Sequence, residues 1–127
     1  VNKYIGIPFS DGEPSLKGAN CYSLIELIYK EEFGIELPKI RISALNSRRA
    51  FIEYLKQVSE HWIKIDEPEI NCVVVMAHDM KHPKVIQHFG LYIGDGKVLH
   101  TLNKINSHIK SLDSLKPFIK GYYKWQS

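Results

Sequence analysis

The stretch that most constrains this chain is Gln87-His88-Phe89-Gly90-Leu91-Tyr92-Ile93-Gly94-Asp95-Gly96-Lys97-Val98-Leu99-His100. Apolar residues at Phe89, Leu91 and Ile93 alternate with others, and Gly94-Asp95-Gly96 supplies turn chemistry, so it reads as a β-hairpin. The register decides what the hairpin can do. A three-residue loop over Gly94–Gly96, with Gly96 left-handed, sets Ile93 opposite Lys97, Gly90 opposite His100 and His88 opposite Leu102. His88 and His100 then point to one side of the sheet as diagonal neighbours, roughly 7–8 Å apart at the backbone and within reach of two imidazoles. A two-residue loop is expected to put them on opposite faces, because a slip of one residue inverts the pleat. Two histidines on one face are suited to be a base and the group that orients it.

The remaining pattern is that of a 127-residue α+β domain, 1–127 taken as a single unit with a core of its own. Tyr4 to Phe9 is a short apolar opening, extended where Ile7 precedes Pro8. Ser10 to Asn20 is a turn-rich loop. From Cys21, apolar residues recur at helical spacing (Cys21, Leu24, Ile25, Ile28, Tyr29), with Asn20 as N-cap and Gly34 as the stop. A second helix is expected from about Ser47 to Val58. Trp62–Ile65 reads as an edge strand, Cys72–Met76 as a central strand, and Ala77–Val85 as a polar loop. Ile105–Ile109 continues the sheet, Ser111–Lys116 is a helical turn stopped by Pro117, and Phe118–Trp125 is an aromatic strand. Helices first and strands after argue for helices packed on an antiparallel sheet.

Charge and composition narrow the function classes. A net charge of +3, scattered along the chain, gives no basic patch for nucleic acid. No run of about 18 apolar residues reads as a membrane span, and Val1-Asn2-Lys3-Tyr4 does not read as a signal peptide, which leaves the compartment open. Cys21 and Cys72 belong to no CxxC pair, so a structural zinc site is not expected. His61, His78, His82 and His108 stand in polar surroundings and read as surface residues. Cys72, within an apolar run, reads as an inert core thiol.

Cys21 is different. It opens a helix, where free N–H groups lower a thiol pKa, and His88 and His100 could act as its base and the orienter of that base. A cysteine on a helix's apolar stripe is more often a plain core residue, and spacing alone does not separate the two readings.

The motifs do. Tyr4–Phe9, Asn20-Cys21-Tyr22-Ser23-Leu24-Ile25, and the run from Tyr29 to the Gly34-Ile35-Glu36-Leu37-Pro38 signature resemble the N-terminal half of the NlpC (NlpC/p60) family of cell-wall cysteine peptidases. Asn71–Met76 resembles the family's "G-D-V-V-L" strand. His88 to His100 resembles its "H-x-G-I-Y-x-G-x-G-x-x-x-H" segment, in the manner of the phage tail-tip branch. The resemblance implies a papain-like NlpC-type fold without a cofactor. It places the nucleophile at Cys21, the base at His88 and the orienting residue at His100, with Phe9, Asn20 and Tyr22 on the substrate side. It also implies cleavage of an amide bond in the peptidoglycan stem peptide, commonly between D-glutamate and the next diamino acid, with other phage tail proteins as further partners. Three departures stand out. Asn20-Cys21-Tyr22-Ser23 replaces the usual "D-C-S-G", Phe9 lacks the hydroxyl of the tyrosine usual there, and Gly12-Glu13 replaces two glycines. Two alternatives keep the same residues: a thiol acyltransferase or amidase on another substrate, and a non-catalytic tail-tip or wall-binding module.

Overall fold

The computed structural model describes residues 2–10, 13–37, 60–77, 88–102 and 105–126, with Leu102 described by its backbone alone. The expected helix at 47–58 and nearly all of the expected loop at 77–85 lie outside these residues. Helix α1 (Cys21–Phe33) begins and ends where the sequence marks it. The Asn20 side chain accepts from the N–H groups of Tyr22 (3.1 Å) and Ser23 (2.8 Å), and Ser23 Oγ accepts from the Asn20 N–H at 2.8 Å. This reciprocal box satisfies N–H groups that a helix start leaves without partners. At the other end Gly34 takes φ 66°, and the N–H groups of Gly34 and Ile35 return to the carbonyls of Lys30 and Tyr29.

The described strands form one antiparallel sheet: β1 (Trp62–Ile65), β2 (Val73–Met76), β3 (His88–Gly94), β4 (Lys97–Leu102), β5 (Ile105–Ser111) and β6 (Ile119–Trp125). Their order across the sheet is β1-β6-β2-β3-β4-β5. β1 is the edge strand expected, and β2 is interior. Val73 and Val75 on one face of β2 join Phe89, Leu91, Leu99 and the α1 residues Leu24, Ile25 and Ile28 in one core. Val74 and Met76 on the other face join Val98 and Leu115 in a second. Burial on both sides is why β2 reads as an unbroken apolar run rather than an alternating one. Leu115 comes from α2 (Leu112–Leu115), a single turn capped by Ser111 and followed by a 3-10 turn at Lys116–Phe118.

The hairpin corrects one expectation. Its loop has two residues, Asp95 (φ 54°) and Gly96 (φ 69°), the backbone of the turn that suits a twisted hairpin. Gly94, not Ile93, pairs with Lys97, yet Tyr92 pairs with Val98 and Leu91 with Leu99. A bulge between Tyr92 and Gly94 absorbs one residue and restores the register that a three-residue loop would have set. The two-residue loop therefore does not separate the histidines.

Candidate active site

Continuing that register puts Gly90 opposite His100, and a Cβ built on Gly90 would lie 3.4 Å from His100 Cβ. It would also fall 2.6 Å from Val98 Cγ1 and 3.2 Å from Met76 Cε, so only glycine fits at the centre of this face. His88 and His100 flank the glycine on the same face. His88 Nε2 and His100 Nδ1 are 2.7 Å apart, with ring centroids at 5.0 Å and planes inclined by 65°. Both rings are buried, at 5% and 1% exposure. One nitrogen of this contact must donate and the other accept. If Nε2 of His88 donates, Nδ1 of neutral His88 is its basic nitrogen, and the contact survives when Nδ1 takes up a proton.

Cys21 is the first residue of α1 and is 5% exposed. α1 lies along β3: the ring of Tyr22 meets Phe89 edge to face at 5.8 Å, and Ile28 and Phe33, a turn or more further on, border a small cavity with Leu91, Ile93 and Leu99. The helix N-terminus and the start of β3 thus lie at the same end of the layer, which brings Cys21 and His88 to one corner of the molecule. They share that end rather than a face. Phe89, Leu91 and Leu99 face α1, whereas His88 pairs with Met76 and looks, with Gly90 and His100, to the other side.

The other expected site residues gather at the same corner. Phe9 is half-buried and bridges Ala19 in parallel, with Ala19 N–H donating to Pro8 O (3.0 Å) and Ser10 N–H to Ala19 O (3.1 Å). This anchors the chain just before Asn20. Asn20 (3% exposed) is engaged in capping, and Tyr22 (2% exposed) in packing against Phe89.

Two histidines read as surface residues also meet other rings. His61 is half-buried and stacks on Trp125 at 4.7 Å. His108 lies in β5, directly opposite His100, with ring centroids 4.5 Å apart. The alternation of β5 marked the strand but not its register with β4, so the sequence carried no sign of this contact. His78 and His82 lie outside the described residues. Cys72 is 1% exposed, and burial pushes its thiol up from the ordinary range, as expected of an inert core cysteine. Among the described residues no group of three or more His, Cys, Asp or Glu side chains could hold a metal ion, and no helix is long and apolar enough to cross a membrane.

The NlpC/P60 family profile matches residues 6–124. No curated protein matches the chain. Solved structures do. NlpC1 of Trichomonas vaginalis superposes with a TM-score of 0.72 at 15% identity, covering 99% of this chain and 42% of that one. The NlpC/p60 domain of the peptidoglycan hydrolase SagA gives 0.65 at 14% identity, over 97% of this chain and 90% of that domain. An NlpC/P60 family protein of Bacillus cereus gives 0.66 at 22% identity, over 94% and 35%. At such identities the likeness is one of fold: papain-like α+β, a helix on an antiparallel sheet. The chain spans less than half the length of the Trichomonas protein.

Proposed function

Because the chain belongs to the NlpC/P60 family over residues 6–124, we propose that it is a cysteine hydrolase that cuts amide bonds in peptidoglycan stem peptides. The observation that carries this reading is the 2.7 Å contact of His88 with His100, at the two ends of the segment that resembles the family's histidine motif. The engagement of Nε2 supports a reading in which Nδ1 of His88 serves the thiol. In the proposed cycle Nδ1 of His88 takes the Cys21 proton, and the imidazolium keeps its Nε2–H directed at Nδ1 of His100. The thiolate, favoured by the positive end of α1, attacks the amide carbonyl. The Cys21 backbone N–H donates to the developing oxyanion, while Asn20 occupies the next two amides, those of Tyr22 and Ser23. His88 returns its proton to the leaving amine, then activates the water that releases the thioester. Phe9, one strand-like step from the cap, is assigned to the substrate side. The bond after D-glutamate is the finer proposal, and a tail-associated setting accompanies it.

The test is direct. Purified peptidoglycan incubated with the protein is expected to gain free amine ends, and Cys21→Ala is expected to abolish the gain. Equal release by both proteins, or none by the wild type, would count against hydrolysis. One observation favours a second reading, a wall-binding module without catalysis: Cys21 and His88 are each only 5% exposed. That reading predicts sedimentation with cell walls, unchanged in Cys21→Ala, and no amine release.

A further inference from the structure

Three imidazoles, one from each of three adjacent strands, stand in a row across the sheet. His88 on β3 meets His100 on β4 through the hydrogen bond already described, and His108 on β5 packs against His100 from the other side, at 4.5 Å and a tilt of 55°. His100 in the middle is 1% exposed, while His108 is half-buried and outermost. His108 Nδ1 lies 2.8 Å from the carbonyl oxygen of Asn106. A carbonyl can only accept, so Nδ1 carries a proton and the ring is anchored to its own strand. Its Nε2 is then the nitrogen that can gain a proton.

We propose that His108 is a positioning residue for the His88–His100 pair, an assignment that rests on the reading of His88 as the base. The anchored ring backs His100 on the side away from His88 and holds Nδ1 of His100 on the line to His88 Nε2. Because the backing ring is an imidazole, the row also responds to acid. A proton on His108 puts positive charge beside His100 and opposes the imidazolium that His88 must become. Among the described residues, charged groups also stand on the elements next to His108. Lys110 lies two residues along the same face of β5. Asp113, on the α2 turn that packs against β5, is ion-paired with Lys116 at 3.2 Å. On the N-terminal segment bonded to the far edge of β5, Lys3 and Tyr4 are engaged with Glu31 of α1.

The test uses the full chain labelled with nitrogen-15 in its histidines, as wild type, His108→Phe and His108→Ala. Ring-nitrogen spectra are followed against pH, and hydrolysis of a soluble stem peptide is measured in parallel. His108→Phe keeps a ring against His100 but removes its protonation together with its bond to Asn106. It is expected to preserve the tautomers of His88 and His100, to raise the pH at which His88 gains its proton, and to keep kcat near wild type at neutral pH. His108→Ala removes the backing. The His100 tautomers are expected to average, and kcat to fall on the order of tenfold with KM little changed. Identical His88 and His100 titrations in all three proteins would overturn the assignment, as would equal losses in the Phe and Ala variants. The spectra do not depend on turnover. If no protein hydrolyses the peptide yet the spectra change as expected, the hydrolase reading fails and the positioning role stands; hydrolysis with unchanged spectra gives the reverse.

Discussion

At the scale of single residues, Gly90 does more than the hairpin pattern suggests. The methyl group of alanine would fall 2.6 Å from Cγ1 of Val98, a fully buried β-branched residue with little rotamer freedom. Gly90→Ala should therefore cost about 1–3 kcal/mol through overpacking, read as a lower midpoint in urea, and should disturb the adjacent His100. The two cysteines should separate by reactivity. Iodoacetamide is expected to modify Cys21 at pH well below the free-thiol value of about 8.5, while Cys72, its thiol pushed up by burial, reacts only once the protein unfolds. Mass mapping across a pH series checks both, and a Cys21 profile centred on the free-thiol value would contradict the ion pair. The sequence made His88 and His100 legible because both stood in strand patterns joined by a defined turn. It hid His108, whose neighbour is set by a pairing between strands rather than by anything local.

At the scale of elements, the N-terminus of α1 was legible to the residue, since Asn20 and Gly34 are chemically suited to their caps. Asn20→Ala leaves the Tyr22 and Ser23 amides without their acceptor and is expected to cost about 1 kcal/mol. It should also slow Cys21 alkylation, because the helix start that favours the thiolate frays; Asn20→Asp should retain both. The hairpin was legible only in part. The right histidine register was inferred from the wrong loop, because a bulge beside a two-residue turn and a plain three-residue turn leave the strands beyond them in the same register. Alternation of side chains reports the register but not the loop that produces it.

At the scale of the whole molecule, distant segments are joined by a few polar contacts that no local pattern foretells. Ser107 on β5 fastens the opening of the chain. Its hydroxyl accepts from Ile7 N–H (2.8 Å) and donates to Tyr4 O (2.5 Å), while its own backbone pairs with Gly6 and Ile7. Ser107→Ala leaves two buried backbone groups without partners and is expected to cost on the order of 2 kcal/mol, with faster hydrogen exchange at Ile7. Tyr4, buried and bonded to Glu31 at 3.0 Å, has its phenol pushed well above the ordinary value by desolvation and then by that carboxylate. The folded chain keeps this proton where the unfolded chain loses it, so stability should fall as pH rises above about 10. Tyr4→Phe should flatten the fall in an alkaline melting series.

The strand order was the least legible feature, because nothing local says that β6 lies between β1 and β2. It also bears on the order of events at the ribosome. Strands β2 to β5 are consecutive neighbours and can zip together as they emerge, but the β1 pairing seen among the described strands needs Ile119–Trp125 to be translated and slotted in beside it. The nascent chain waits more than fifty residues of synthesis for that pairing of Trp62–Ile65, and a stop codon just after Phe118 would withhold it for good.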